Sequence, residues 1–180
     1  MPLDPTFYYE PARAYFPELA RRFAATGRIT SEEMYLILAW KAGRARTRQR
    51  DRLVSKAGGS FGAAVKSITA GLRATPDPEQ RLKLLMNKWG FRLPTASAIL
   101  AVLYPKEFTV YDVRVCNVLG DFNGLRWRPW SPTLWQEYRR FMQAVRKKAP
   151  RRLKSWPDCD RWLWGRDRQK AMLRELGNRR

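Results

Sequence analysis

The sequence predicts an all-α fold, a single compact domain over residues 1–180 with about eight or nine helices. Three observations carry that expectation. Apolar residues recur at helix spacing along nearly the whole chain. The gaps between these runs hold Gly, Pro, or an Asp, Ser or Thr suited to opening a helix. Strand-like alternation is confined to a few residues around Phe108 to Tyr111. No repeat of fixed period is present.

Taken in order, Ala14, Phe16, Leu19, Ala20 and Phe23 form the first apolar stripe, and Gly27 suits its end. Thr30 and Glu33 have capping-box spacing ahead of Met34, Ile37, Leu38 and Trp40, a run that Gly43 closes. The segment KAGRARTRQRDRLVSK follows, strongly basic with Asp51 as its one acid, and reads as a solvated helix face or a loop. Ser60 stands where a cap belongs before Phe61, Val65, Ile68 and Leu72, and ATPDP is a turn. From Pro78, the residues Leu82, Leu84, Leu85 and Trp89 mark a helix ended by Gly90. Thr95 opens the short apolar run TASAILAVLY, stopped by Pro105. EFTVYD reads as an extended connector, with Asp112 as N-cap of a helix through Val115 and Leu119. GDFNGLRWRPWSP is a loop. Ser131 and Pro132 begin a long helix that ends at KKAPRR, and Pro157 and Asp158 begin the last one.

Composition narrows function. Lys and Arg number 36 against 16 Asp plus Glu, a net charge of +20, which attracts polyanions and nucleic acid first among them. With 44% hydrophobic residues and eight Trp, seven Tyr and eight Phe, the chain can bury a core. The absence of histidine excludes Ser-His-Asp and Cys-His nucleophilic sites and imidazole-bound zinc. Cys116 and Cys159 are too few for a four-cysteine cluster and form no CxxC motif. The opening MPLDPTFYYEPARAYF lacks the basic and apolar regions of a signal peptide, and no apolar run is long enough to span a bilayer. The expectation is a cytoplasmic, nucleoid-associated monomer whose partner is double-stranded DNA, with no membrane contact.

Residues 84–119, LLMNKWGFRLPTASAILAVLYPKEFTVYDVRVCNVL, hold the most information. Two short helices joined by the tight turn WGFRLP form a hairpin over about 79–104, and Thr95, Ala96, Ser97 and Ala98 are small enough for close helix approach. The connector and helix at 105–120 carry Asp112. The turn presents backbone N–H groups at a helix start, where an anion such as a DNA phosphate is favoured.

This stretch resembles the helix-hairpin-helix DNA glycosylase superfamily. Gly90, Phe91, Thr95, Ala96, Ile99 and Leu100 match the hairpin, and Val110-Tyr111-Asp112-Val113-Arg114-Val115 matches the segment that holds the family's catalytic aspartate. Two departures stand out. Arg92 replaces the second hairpin glycine, and Pro94 occupies the place of the lysine nucleophile of bifunctional members. The resemblance therefore implies a monofunctional enzyme that hydrolyses the N-glycosidic bond of a flipped base and leaves an abasic site. Lys41, Lys88 and Lys106 are the other lysines to exclude as nucleophiles. It implies no cofactor beyond a structural monovalent cation at the hairpin.

Asp112 is the expected catalytic residue, because a carboxylate facing the sugar stabilises the positive charge built there. Trp40, Lys41, Tyr111 and Trp164 are the expected base pocket. Lys88, Gly90, Arg92, Leu93, Thr95, Arg114, Arg46 and Arg48 are the expected DNA contacts. Cys116 reads as a core residue, and Asp158 and Asp160 as a helix cap and a local salt-bridge partner. The other readings are a helix-hairpin-helix module that binds DNA without chemistry, and a basic RNA-binding protein. The base itself is open among oxidised or alkylated purines, deaminated or mismatched pyrimidines, and hypermodified viral bases, the last implying phage defence.

Overall fold

The computed structural model describes residues 11–177. The opening ten residues, most of the stretch on which the lack of a signal peptide was read, lie outside them. A single turn, α1 (Pro11–Ala14), precedes nine longer helices among the described residues. These are α2 (Phe16–Thr26), α3 (Ser31–Ala42), α4 (Arg46–Ala57), α5 (Phe61–Ala74), α6 (Pro78–Lys83), α7 (Leu93–Leu103), α8 (Val113–Leu119), α9 (Pro132–Lys148) and α10 (Trp156–Glu175). No strand occurs among the described residues, as the periodicity requires.

The caps are those read from the sequence. Thr30 and Glu33 close a full capping box on α3, Ser60 accepts from Ala63 N–H on α5, and Asp112 caps α8. Of the two readings of the basic segment, the helix is the one found, as α4, because Leu53 is fully buried and anchors it against the core. Two boundaries differ. The loop after α8 contains a 3-10 turn at Asn123–Trp127, held by buried Leu125. The last helix starts at Trp156, since the Ser155 hydroxyl accepts from Asp158 N–H and takes the cap role.

Helix α7 is apolar on every side, so it sits at the centre: apart from Pro94, all its residues are buried. It packs against α2, α3 and α6. Each fully buried Leu or Ile here contributes roughly 1.5–3 kcal/mol through removal from water. Side chains then pin the connector to this core: Tyr111 N–H donates to the Ser97 hydroxyl at 2.9 Å, and the Tyr138 hydroxyl donates to the Thr109 carbonyl. Both groups of the pinned strand-like segment lead directly into Asp112, so its place is set by α7 and α9 together.

Candidate active site and nucleic-acid interface

Asp112 has β-region dihedrals ahead of α8, and one carboxylate oxygen accepts from Arg114 N–H at 2.9 Å. The other accepts from Lys41 Nζ at 2.6 Å, across 71 residues of chain. The Lys41 side chain is 9% exposed and that of Asp112 22% exposed, so the pair is largely shielded from water. Burial pushes the Asp112 carboxyl up, but the Lys41 ammonium and then the Arg114 N–H and guanidinium outweigh it and hold it below the usual carboxylate range. Asp112 is therefore an anion at neutral pH, aimed at a helix N-terminus.

Beside this pair lies a cleft of about 290 Å³ walled by Phe16, Trp40, Val102, Phe108 and Val110. The Phe16 and Trp40 rings meet edge-to-face at 5.2 Å. Trp40 and Lys41 are consecutive on α3, and Val110 precedes Asp112 by two residues, so the cleft wall and the ion pair share their backbone. Asp160, 8% exposed, and Thr109, 1% exposed, also line the cleft, and the buried Asp160 Oδ1 and Thr109 Oγ1 have no hydrogen-bond partner. Burial raises the Asp160 carboxyl to about 7; the Asp112 charge adds to this, while Lys41 and Arg161 oppose it.

Asp160 is the residue sequence reasoning missed. Of the two expected roles, the cap falls to Ser155, and Asp158, hydrogen-bonded to it, fills the other by pairing with Arg161 at 2.6 Å. Asp160 instead lies on the buried stripe of α10 with Cys159 and Leu163. An acid three residues before a stripe leucine was the available signal. Cys116 is buried in the core as expected, with burial pushing its thiol up to about 11.

Comparison with family models, curated proteins and solved structures finds no match. The site must be read from its own residues.

Of the expected pocket, Trp40 lines the cleft and Lys41 faces Asp112. Tyr111 does not line it: the ring is buried against Phe141, 5.1 Å between centroids, and the hydroxyl donates to the Phe122 carbonyl. Trp164 is likewise elsewhere, 42% exposed on α10 with the guanidiniums of Arg114 and Arg168 over its ring. Its helix turns that face outward because Asp160 and Leu163 take the inner one.

The hairpin forms as expected, with a widened π turn at Leu84–Lys88 before Gly90. Gly90 has φ +70°, a left-handed conformation that favours glycine. Arg92 is extended at φ −78°, ψ 158°, so replacing the second glycine causes no backbone strain. Arg92 is the N-cap of α7 and Pro94 its second residue, so the helix opens at Leu93, two residues before the Thr95 expected. The turn's N–H groups are partly committed: Phe91 donates to the Leu85 carbonyl and Thr95 to that of Arg92. Leu93 and Thr95 are buried, so neither side chain is available to phosphate.

Cations supply what the turn lacks. Helix α4 runs past the hairpin and sets Arg48 and Arg52 near Arg92, whose charges together lower the Arg52 guanidinium after burial does. Lys56 donates to the Lys88 carbonyl at 3.2 Å, so a cation of the chain's own sits at the hairpin. Arg92 donates to the Trp127 carbonyl at 2.5 Å, and Trp127, 63% exposed, stacks under Arg126 at 4.3 Å. Arg46, Arg48, Lys88 and Arg92 are exposed. Arg46 hydrogen-bonds the Gly43 carbonyl, and Arg114 is tied to Asp167 at 3.1 Å rather than left free. No helix of the described residues is long and apolar enough to cross a membrane, and they hold no group of three His, Cys, Asp or Glu suited to a metal.

Proposed function

We propose that this protein is a monofunctional DNA glycosylase that acts on double-stranded DNA as a monomer. The observation that carries the reading is Asp112, an anionic carboxylate capping α8 beside an aromatic cleft, in a chain whose α4 and hairpin turn carry exposed arginines. A pure binding module needs Asp112 only as a cap, and gains nothing from a shielded ion pair with α3 or from an apolar cleft next to it. The arginines of α4 and the hairpin engage phosphates, and the extruded base enters the cleft. The C1′–N bond breaks with its electron pair passing to the base. Asp112 stabilises the positive charge left on the sugar and orients the water that adds its hydroxyl to C1′, and the water's proton goes to the departing base. The backbone stays intact, because Pro94 has no amine.

The test is base release from duplexes bearing oxidised and alkylated purines, deaminated and mismatched pyrimidines, and hypermodified bases, read by strand cleavage in hot alkali. Alkali-dependent cleavage of at least one duplex is expected. Binding without cleavage of any of them would leave a DNA-binding module in place of an enzyme. One distance favours a second reading: Lys41 Nζ lies 2.6 Å from Asp112, where an amine serves as a Schiff-base nucleophile. Borohydride trapping separates the two. No covalent protein–DNA adduct is expected, and an adduct lost in Lys41→Met would establish the lyase.

A further inference from the structure

We propose that Asp160 is the specificity residue of the cleft, its free Oδ1 accepting a hydrogen bond from the exocyclic amino group of a base seated between Phe16, Trp40 and Val110. This rests on the base-release reading for the source of the ligand. A buried acceptor without a partner costs on the order of 1–3 kcal/mol, and native chains seldom carry one without a use. This chain carries two in one apolar wall, Asp160 Oδ1 and Thr109 Oγ1. Both line the same cleft, whose size is near the lower end of those that hold small molecules. Apart from Ser155 and Arg161, the remaining wall is aromatic and aliphatic, suited to a flat ring, and it offers no other side-chain acid.

The neighbours of Asp160 leave this role open. Lys41 of α3 is committed to Asp112 at the start of α8, Arg161 of α10 binds Asp158 and the Ala12 carbonyl, and the Tyr138 hydroxyl of α9 is committed to the Thr109 carbonyl. None of these donors reaches Asp160 Oδ1. A ligand amino group satisfies that oxygen in either protonation state, since neutral and ionised carboxyl groups both accept there. The Thr109 hydroxyl completes the edge by donating to a ring nitrogen or carbonyl.

The experiment uses free bases, so that it does not depend on DNA cleavage. Binding of 9-methyladenine, 9-methylguanine and 1-methylcytosine is measured by ligand-observed NMR against 9-methylpurine, which has the ring but no amino group. At least one amino-bearing probe is expected to bind about tenfold or more tightly than 9-methylpurine, the scale of one buried hydrogen bond left unmade. Asp160→Leu should remove that difference, while Asp160→Asn, whose amide oxygen still accepts, should keep most of it. Equal affinity for 9-methylpurine and all amino-bearing probes overturns the proposal on the wild-type protein alone, whether or not the Leu variant folds. Unchanged selectivity in Asp160→Leu, or no binding of any probe at millimolar concentration, also overturns it. Selective binding of free bases by a protein that releases none from DNA would end the glycosylase reading and leave this one standing.

Discussion

At the scale of residues, Lys41 and Asp112 behave as a unit, and this changes what a substitution reports. A lone N-cap aspartate tolerates Asn well, because Asn caps almost equally. Here Asp112→Asn leaves the shielded Lys41 ammonium without its counter-charge. Removing one partner of a buried pair costs 3–5 kcal/mol, and since Asp112 is partly exposed we expect about 2 kcal/mol by thermal or urea melting. Lys41→Met in the same chain should restore most of that loss, a coupling that a double-mutant cycle measures directly. Base release should still fall on the order of a hundredfold or more in both Asp112 variants, the scale of losing one preorganised electrostatic group. Recovery of stability without recovery of activity separates the catalytic role from the structural one.

Asp160 leads to a residue-scale prediction of opposite sign in pH. Its folded carboxyl titrates at about 7, well above the unfolded value near 3.8. Between those values the folded protein keeps a proton that the unfolded chain has lost, so this group makes stability fall as pH rises, by about 1.4 kcal/mol per unit, and its effect levels off above about 7. Asp112 acts the other way: its folded carboxyl is depressed, so its contribution is complete above the ordinary carboxylate range and fades as pH falls below it. Denaturant melts from pH 4 to 8 should therefore show Asp160→Asn gaining on wild type as pH rises to about 7 and holding a constant margin beyond. A pH-independent difference would show that Asp160 is ionised throughout.

At the scale of elements, the hairpin depends on one backbone conformation and one cation. Gly90→Ala places a Cβ in a left-handed site, which costs roughly 1–2 kcal/mol. Arg92→Gly should relieve nothing, because Arg92 is already extended. Melting both variants checks this: a stabilised Arg92→Gly would mean that the turn is strained. Arg92 and Gly90 are both legible in the sequence as turn residues, whereas the left-handed φ of Gly90 and the extended backbone of Arg92 are set by the folded turn. A motif match carries residue identities, and φ follows from how α6 widens into its π turn before α7 begins.

Across the whole molecule, the net charge is +20, and part of it gathers where Arg48 and Arg52 of α4 come near Arg92 of the hairpin. Duplex affinity should fall with added salt by about 0.9 log units per log unit of salt for every phosphate engaged. Arg92→Ala should lower that slope by about 1 and weaken unrelated sequences alike, measured by fluorescence anisotropy over a salt series. A slope unchanged in the variant would remove the hairpin from the interface.

The sequence by itself determined the helical class, most of the caps, the hairpin and the place of Asp112, because these rest on local rules: spacing of apolar residues, capping chemistry and turn residues within a few positions of one another. Only the tertiary structure decided which distant groups meet. It joined Lys41 to Asp112, withdrew Tyr111 into the core and Trp164 to the surface, and turned Asp160 from a presumed salt-bridge partner into an unpaired acid in the cleft. The reason is that a helix surface offers several faces to a buried aromatic or an acid, and the choice among them depends on how α3, α7, α9 and α10 pack, which no single segment encodes.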